Sequence, residues 1–164
     1  MDLLKYENKY WEKGLKYIAG VDEAGRGPLA GPVVAACVIL NPSIVINGIN
    51  DSKKISPKKR YELFKKIKDK AVDVSIGIVN EKEIDDINIL KATFLAMKRA
   101  VGNLSISPNL LLIDGPYAPE GLNNCKTILP LMEILEPQRP NTFRFQNIIL
   151  FAVINAIQPP NIVI

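Results

Sequence analysis

Apolar residues are spaced along the chain in runs that predict distinct elements. Tyr17-Ile18-Ala19-Gly20-Val21 reads as a short buried strand ending at Asp22, and Pro32 to Leu40 reads as a second strand closed by Asn41-Pro42. The segment between them, Glu23-Ala24-Gly25-Arg26-Gly27-Pro28-Leu29-Ala30-Gly31, is too rich in glycine and proline for regular structure, so it predicts a loop. Ser56-Pro57 offers a capping hydroxyl followed by proline at the first helical position. With Tyr61, Phe64, Ile67 and Ala71 at helical spacing, this predicts a helix over 57–71. Val72 to Val79 alternates with period two, as a half-buried strand should. Ile84, Ile87, Leu90, Phe94, Met97 and Val101 form one stripe, which predicts a single long amphipathic helix over 81–101, ended by Gly102-Asn103. Asn109-Leu110-Leu111-Leu112-Ile113 is apolar throughout and stops at Asp114-Gly115-Pro116. Strands apolar on both faces suit the middle of a sheet covered by helices, so this order of elements predicts an α/β fold, a mixed sheet flanked by helices.

A doubly wound dinucleotide-binding fold has a similar order of elements. The glycines after Asp22 do not follow the Gly-x-Gly-x-x-Gly spacing, however, and an acid pair at the strand end would repel a pyrophosphate. Beyond Lys126 the pattern changes. The remaining residues contain no lysine, and their charged residues are Glu133, Glu136, Arg139 and Arg144. Thr127 to Pro140 has no sustained period, and Ile148 to Ile154 is apolar with no evident partner. The chain therefore divides into a domain over 1–126 and an atypical tail over 127–164.

Composition narrows the chemistry. At 164 residues with 48% hydrophobic and 23% charged, the chain has the make-up of one soluble domain. Its charged N-terminus, Met1 to Glu7, has no signal-like apolar run, so the expectation is a cytoplasmic protein with no membrane span; a monomer is expected separately. The two cysteines, Cys37 in an apolar run and Cys125 in a loop-like stretch, suggest neither a disulfide framework nor a zinc cluster. The absence of histidine excludes Ser-His and Cys-His nucleophiles and any His-ligated metal, leaving carboxylates as the candidate chemistry. A net charge of +4 suits a polyanionic partner or simply a basic surface. Lys53-Lys54, Lys58-Lys59-Arg60, Lys65-Lys66, Lys68 and Lys70 cluster after the glycine-rich loop, though such a run by itself is more often a solvated helix face.

Two predicted strands finish on acids. Asp22 and Glu23, joined by Asp114 from a neighbouring strand end, are placed to offer oxygen ligands to Mg²⁺ or Mn²⁺, hard cations that activate water against a phosphodiester. By spacing alone, acids at strand ends are more often turn groups or caps, and Asp114-Gly115 is equally a turn signal.

The string Gly20-Val21-Asp22-Glu23-Ala24-Gly25-Arg26-Gly27-Pro28-Leu29-Ala30-Gly31-Pro32-Val33, followed by Asp51-Ser52-Lys53-Lys54 and Leu112-Ile113-Asp114-Gly115, closely resembles bacterial ribonuclease HII from about Tyr17 to Lys126. That resemblance implies a ribonuclease H-like mixed sheet. It also implies cleavage on the 5′ side of ribonucleotides, in RNA/DNA hybrids and at single ribonucleotides in duplex DNA, with Mn²⁺ or Mg²⁺ as cofactor. It matches Asp22, Glu23 and Asp114 to three of the family's four metal-binding carboxylates. Gly25-Arg26-Gly27 matches the loop that reads the 2′-hydroxyl, where glycine lets backbone approach the sugar and the hydroxyl separates RNA from DNA. Ser52 and Lys53 match its phosphate-contacting motif, with Lys54 an electrostatic helper.

The family's fourth ligand lies in a Gly-Asp-Ser element, and in this chain Asp114 is the last aspartate. The sequence suggests a change of reading frame near residues 129–131 as the reason. Codons for Met132-Glu133-Ile134-Leu135, read two bases later, begin with a glycine codon and permit Gly-Asp-Ser. The expected activity is accordingly impaired. The competing expectation is a catalytically inactive hybrid-binding remnant that keeps Arg26 and Lys53. A DNA-cutting nuclease of related fold fits less well, because of the Gly25-Arg26-Gly27 loop.

Overall fold

A computed structural model of the chain describes residues 4–26, 31–43, 56–113, 118–122 and 126–128. In chain order its elements are α1 (Lys5–Trp11), β1 (Ile18–Ala24), β2 (Val33–Ile39), α2 (Pro57–Lys70), β3 (Asp73–Val79), α3 (Glu81–Ile87), α4 (Ile89–Gly102), β4 (Leu110–Ile113) and β5 (Lys126–Ile128). The strands form one five-stranded sheet in the order β3-β2-β1-β4-β5. β1 runs antiparallel to β2 and β2 to β3, while β1 with β4 and β4 with β5 are parallel. The sheet is mixed, as the apolar pattern predicts. Among the described residues no helix is long and apolar enough to cross a membrane.

Strand alternation builds a core on both faces. Val33, Ala35, Cys37 and Ile39 of β2 pack with Ala19 and Val21 of β1, Leu111 and Ile113 of β4, and α4. Val34, Ala36 and Val38 turn the other way, onto Leu63 and Ile67 of α2. On that second face, Ile18, Leu110 and Leu112 pack against Tyr6 and Tyr10 of α1. Every residue of β2 is buried, which explains why its sequence is a continuous apolar run and not an alternating one.

α2 and β3 form where the spacing predicts. Ser56 caps α2 by accepting a hydrogen bond from the Lys59 N–H, and Pro57 occupies the first helical position. Three features depart from the sequence pattern. First, β1 does not end at Asp22. Glu23 and Ala24 remain in the ladder opposite Ala35 and Val34, because β2 continues to offer backbone partners there. Second, α1 was not foreseen. It is only seven residues long, and its buried Tyr6, Glu7 and Tyr10 give too brief a period to stand out in sequence.

Third, residues 81–101 are two helices. Asn88 takes φ 71° and ψ 162°, a backbone conformation that glycine adopts far more readily than other residues, and its side chain accepts hydrogen bonds from the N–H groups of Leu90 and Lys91, starting α4 afresh. The new start shifts the helical phase, leaving Leu90 exposed. The buried face becomes Ala92, Thr93, Ala96, Met97 and Ala100. These residues are mostly small because α4 lies almost on β3, where a Cβ on Gly77 would collide with the Ala96 carbonyl oxygen and the Ala100 nitrogen. The Arg99 guanidinium then ties the two helices together by donating to both carboxylate oxygens of Glu83 at 2.6 and 3.1 Å.

Candidate functional site

Asp22 and Glu23 lie near the C-terminal end of β1, the middle strand of the sheet. On one side they face Ala36 and Ala35 of β2, whose methyl groups leave the acids room. On the other side β4 runs parallel, and its last described residue, Ile113, pairs with Val21, the residue before Asp22. Alternation turns Asp22 toward the α1 and α2 face and Glu23 toward the α4 face, in step with Ala24 and Val21 on either side.

The acids are coupled locally. Asp22 Oδ1 accepts a hydrogen bond from the Glu23 N–H at 2.8 Å. Glu23 Oε1 accepts one from Arg26 Nη1 at 3.1 Å, an ion pair in which the Glu23 side chain is 12% exposed and that of Arg26 49%. Being half in water, the pair contributes at most about 1 kcal/mol, so it orients the carboxylate more than it stabilises the fold.

Gly25 makes this geometry possible. It is buried, its φ is +99°, and a Cβ there would strike the Pro32 carbonyl oxygen. The chain leaving β1 therefore passes against the backbone entering β2 at a point that admits no side chain. A local steric rule thus fixes where the loop departs and holds Arg26 within reach of Glu23.

The structure brings Asp22, Glu23, Gly25 and Arg26 together. Gly27, Ser52, Lys53, Lys54 and Asp114 lie outside the described residues, as do Cys125 and the tail beyond residue 128. Among the described residues no group of three His, Cys, Asp or Glu side chains could hold a metal ion. The donor chemistry at the end of β1 is nonetheless all oxygen and anionic, the kind that suits a hard divalent cation. Arg26, which the resemblance matches to the 2′-hydroxyl-reading loop, holds Glu23, a contact its three-residue spacing across a glycine turn makes available.

Known proteins share the family pattern and the fold. The family model for Ribonuclease HII matches residues 19–135. Ribonuclease HII of Acetivibrio thermocellus is 58% identical over 114 residues, covering 70% of this chain and 44% of that protein, so the chain spans somewhat under half the relative's length. Among solved structures, ribonuclease H2 from Pyrococcus horikoshii OT3 superposes with a TM-score of 0.63 at 24% identity, over 85% of this chain and 69% of that one. Bst-RNase HIII in complex with Mn²⁺ does so with a TM-score of 0.52 at 15% identity, over 85% of this chain and 50% of that one. At these identities the two structures speak for the fold alone.

Proposed function

The chain belongs to the ribonuclease HII family, and on that premise we propose that it is a metal-dependent endoribonuclease. It hydrolyses the RNA strand of RNA/DNA hybrids, cutting 5′ of ribonucleotides, including single ones embedded in duplex DNA, with activity reduced by the missing fourth carboxylate. The observation that carries this reading is the Asp22–Glu23 pair at the end of the central strand, next to the strand whose final described residue precedes Asp114.

In this reading Asp22, Glu23 and Asp114 hold Mn²⁺ or Mg²⁺. When bound, such an ion lowers the pKa of attacking water and neutralises charge on the leaving oxygen. Bst-RNase HIII, of similar fold, carries Mn²⁺ in its complex. The remaining roles belong to the chain's own groups. Gly25-Arg26-Gly27 brings backbone close to the sugar and reads the 2′-hydroxyl. Arg26 also keeps Glu23 oriented before substrate arrives. Ser52 and Lys53 contact a backbone phosphate, with Lys54 adding charge nearby.

The test is incubation of the full chain with a duplex carrying one ribonucleotide, in Mn²⁺ or Mg²⁺. Cleavage 5′ of the ribonucleotide that disappears in Asp22→Asn supports the proposal. Tight, ribose-dependent binding without cleavage would overturn it in favour of an inactive hybrid-binding remnant. Cleavage of an all-DNA duplex would point to a different nuclease.

A further inference from the structure

β3 is an edge strand of the sheet as described. From Val74 to Val79 its sequence, Val-Ser-Ile-Gly-Ile-Val, contains neither charge nor proline, the usual means by which natural edges discourage pairing with another chain. Ile78 is 43% exposed. Such a segment is a template for strand addition.

The edge is instead covered by side chains from α4 and the loop after it. Arg99 Nη1 donates to the Ile78 carbonyl at 2.6 Å, and Asn103 Nδ2 donates to the Ile76 carbonyl at 2.8 Å. At the start of the strand, Asp73 Oδ1 accepts from the Val74 N–H at 2.9 Å, while Oδ2 of the same carboxylate accepts from the N–H groups of Ser105 and Ile106. Residues 74, 76 and 78 alternate with 73, 75, 77 and 79, so these bonds fall on successive backbone positions of the same edge.

The match between helix and strand is geometric. Arg99 in the last turn of α4 and Asn103, its C-cap with near-helical backbone, are four residues apart, a rise of about 6 Å, and Ile76 and Ile78 are two residues apart on a strand, about 6.7 Å. Two neighbouring side chains of one helix face can therefore address two successive outward carbonyls. The close approach permitted by Gly77 brings α4 near enough for both. Glu83 steadies Arg99 by accepting from both guanidinium nitrogens.

We infer that Arg99 and Asn103 act as a guard on the β3 edge, and that the partner they exclude is a second copy of this chain adding its own β3. Both β3 strands would present the same Val-Ser-Ile-Gly-Ile-Val edge, and antiparallel pairing of two identical edges closes as a twofold dimer.

The experiment is sedimentation velocity of the full chain over a dilution series, comparing the parent with Arg99→Ala/Asn103→Ala, alongside circular dichroism to follow folding. The double variant is expected to show a weight-average mass rising about twofold with concentration, over a range where the parent stays constant. Adding Ile78→Lys to the double variant places a charge on the edge and should return it to parental behaviour. A folded double variant that matches the parent overturns the inference, as does association that Ile78→Lys leaves intact. Should the double variant lose its fold, Asn103→Ala alone carries the test: a smaller rise in mass supports the guard, and no rise refutes it.

Discussion

Gly25→Ala would set a methyl group on a residue with φ +99° and aim it at the Pro32 carbonyl oxygen. The backbone share of the penalty is about 1–2 kcal/mol, the usual cost of a left-handed L-residue. The colliding atom belongs to the main chain entering β2, so it cannot rotate away, and overpacking of this kind adds about 1–3 kcal/mol. Together these lower stability by about 2–5 kcal/mol. With a urea slope of about 2 kcal/mol per molar, the unfolding midpoint falls by about 1–2.5 M. Gly14→Ala provides the internal control, since Gly14 has φ +82° but nothing within 4 Å of a Cβ. It carries the backbone share alone, so its midpoint should fall by about 0.5–1 M. Equal shifts in the two variants would refute the collision with Pro32. Because Gly25 sets the path by which Arg26 reaches Glu23, Gly25→Ala should also lose cleavage of the ribonucleotide-containing duplex at temperatures where it remains folded. Full activity in a folded Gly25→Ala would refute the assigned role of this turn.

Other consequences are directly measurable. The hydrogen bonds from Arg99, then the backbone N–H of Asn80, hold the Glu83 carboxyl below its ordinary value of 4.5. Stabilisation from this carboxylate is present above that pH and lost as pH falls through the lowered folded value, so acid unfolding of the parent should steepen below about 4.5 while Glu83→Gln shows a flatter dependence there. Leu112 is fully buried between β1 and β5, and Leu112→Ala should cost about 2–5 kcal/mol in urea unfolding; a loss under about 1 kcal/mol would mean the α1 face is not close-packed. At Asn88, Gly loses the cap at a cost of a few tenths of a kcal/mol but relieves a backbone strain of about 1–3 kcal/mol, so Asn88→Gly should be neutral or stabilising. Asn88→Ala keeps the strain and loses the cap, so it should be destabilised by about 1 kcal/mol, a difference that thermal melts of the two variants would reveal.

Much of the architecture is written in short-range pattern. Period-two alternation from residues 72 to 79 marks β3, an uninterrupted apolar run marks the doubly covered β2, and Ser56-Pro57 marks the start of α2, because each depends on side-chain direction or capping within a few residues. The acid pair and the glycine after it were legible for the same reason. Their association with Asp114 is an expectation from the sequence, and Asp114 lies outside the described residues.

What the sequence by itself determined, then, are the strands β2, β3 and β4, the start of α2, the acids near the end of β1 and the glycine that turns the chain behind them, all local consequences of backbone sterics and residue chemistry. The tertiary structure decided the rest. The stripe through Leu90 and Phe94 pointed to one helix, yet Asn88 ends that register, because a residue at positive φ with a capping side chain lets α4 turn its small residues onto Gly77. Glu23 stays in the sheet because β2 pairs with it, a partner twelve residues away along the chain at Ala35. Arg99 and Asn103 look like ordinary polar residues on a helix, and only the packing of α4 beside β3 turns them toward the carbonyls of an edge strand. Pairing, approach and exposure depend on which distant segments meet, and that is settled by the folded chain as a whole.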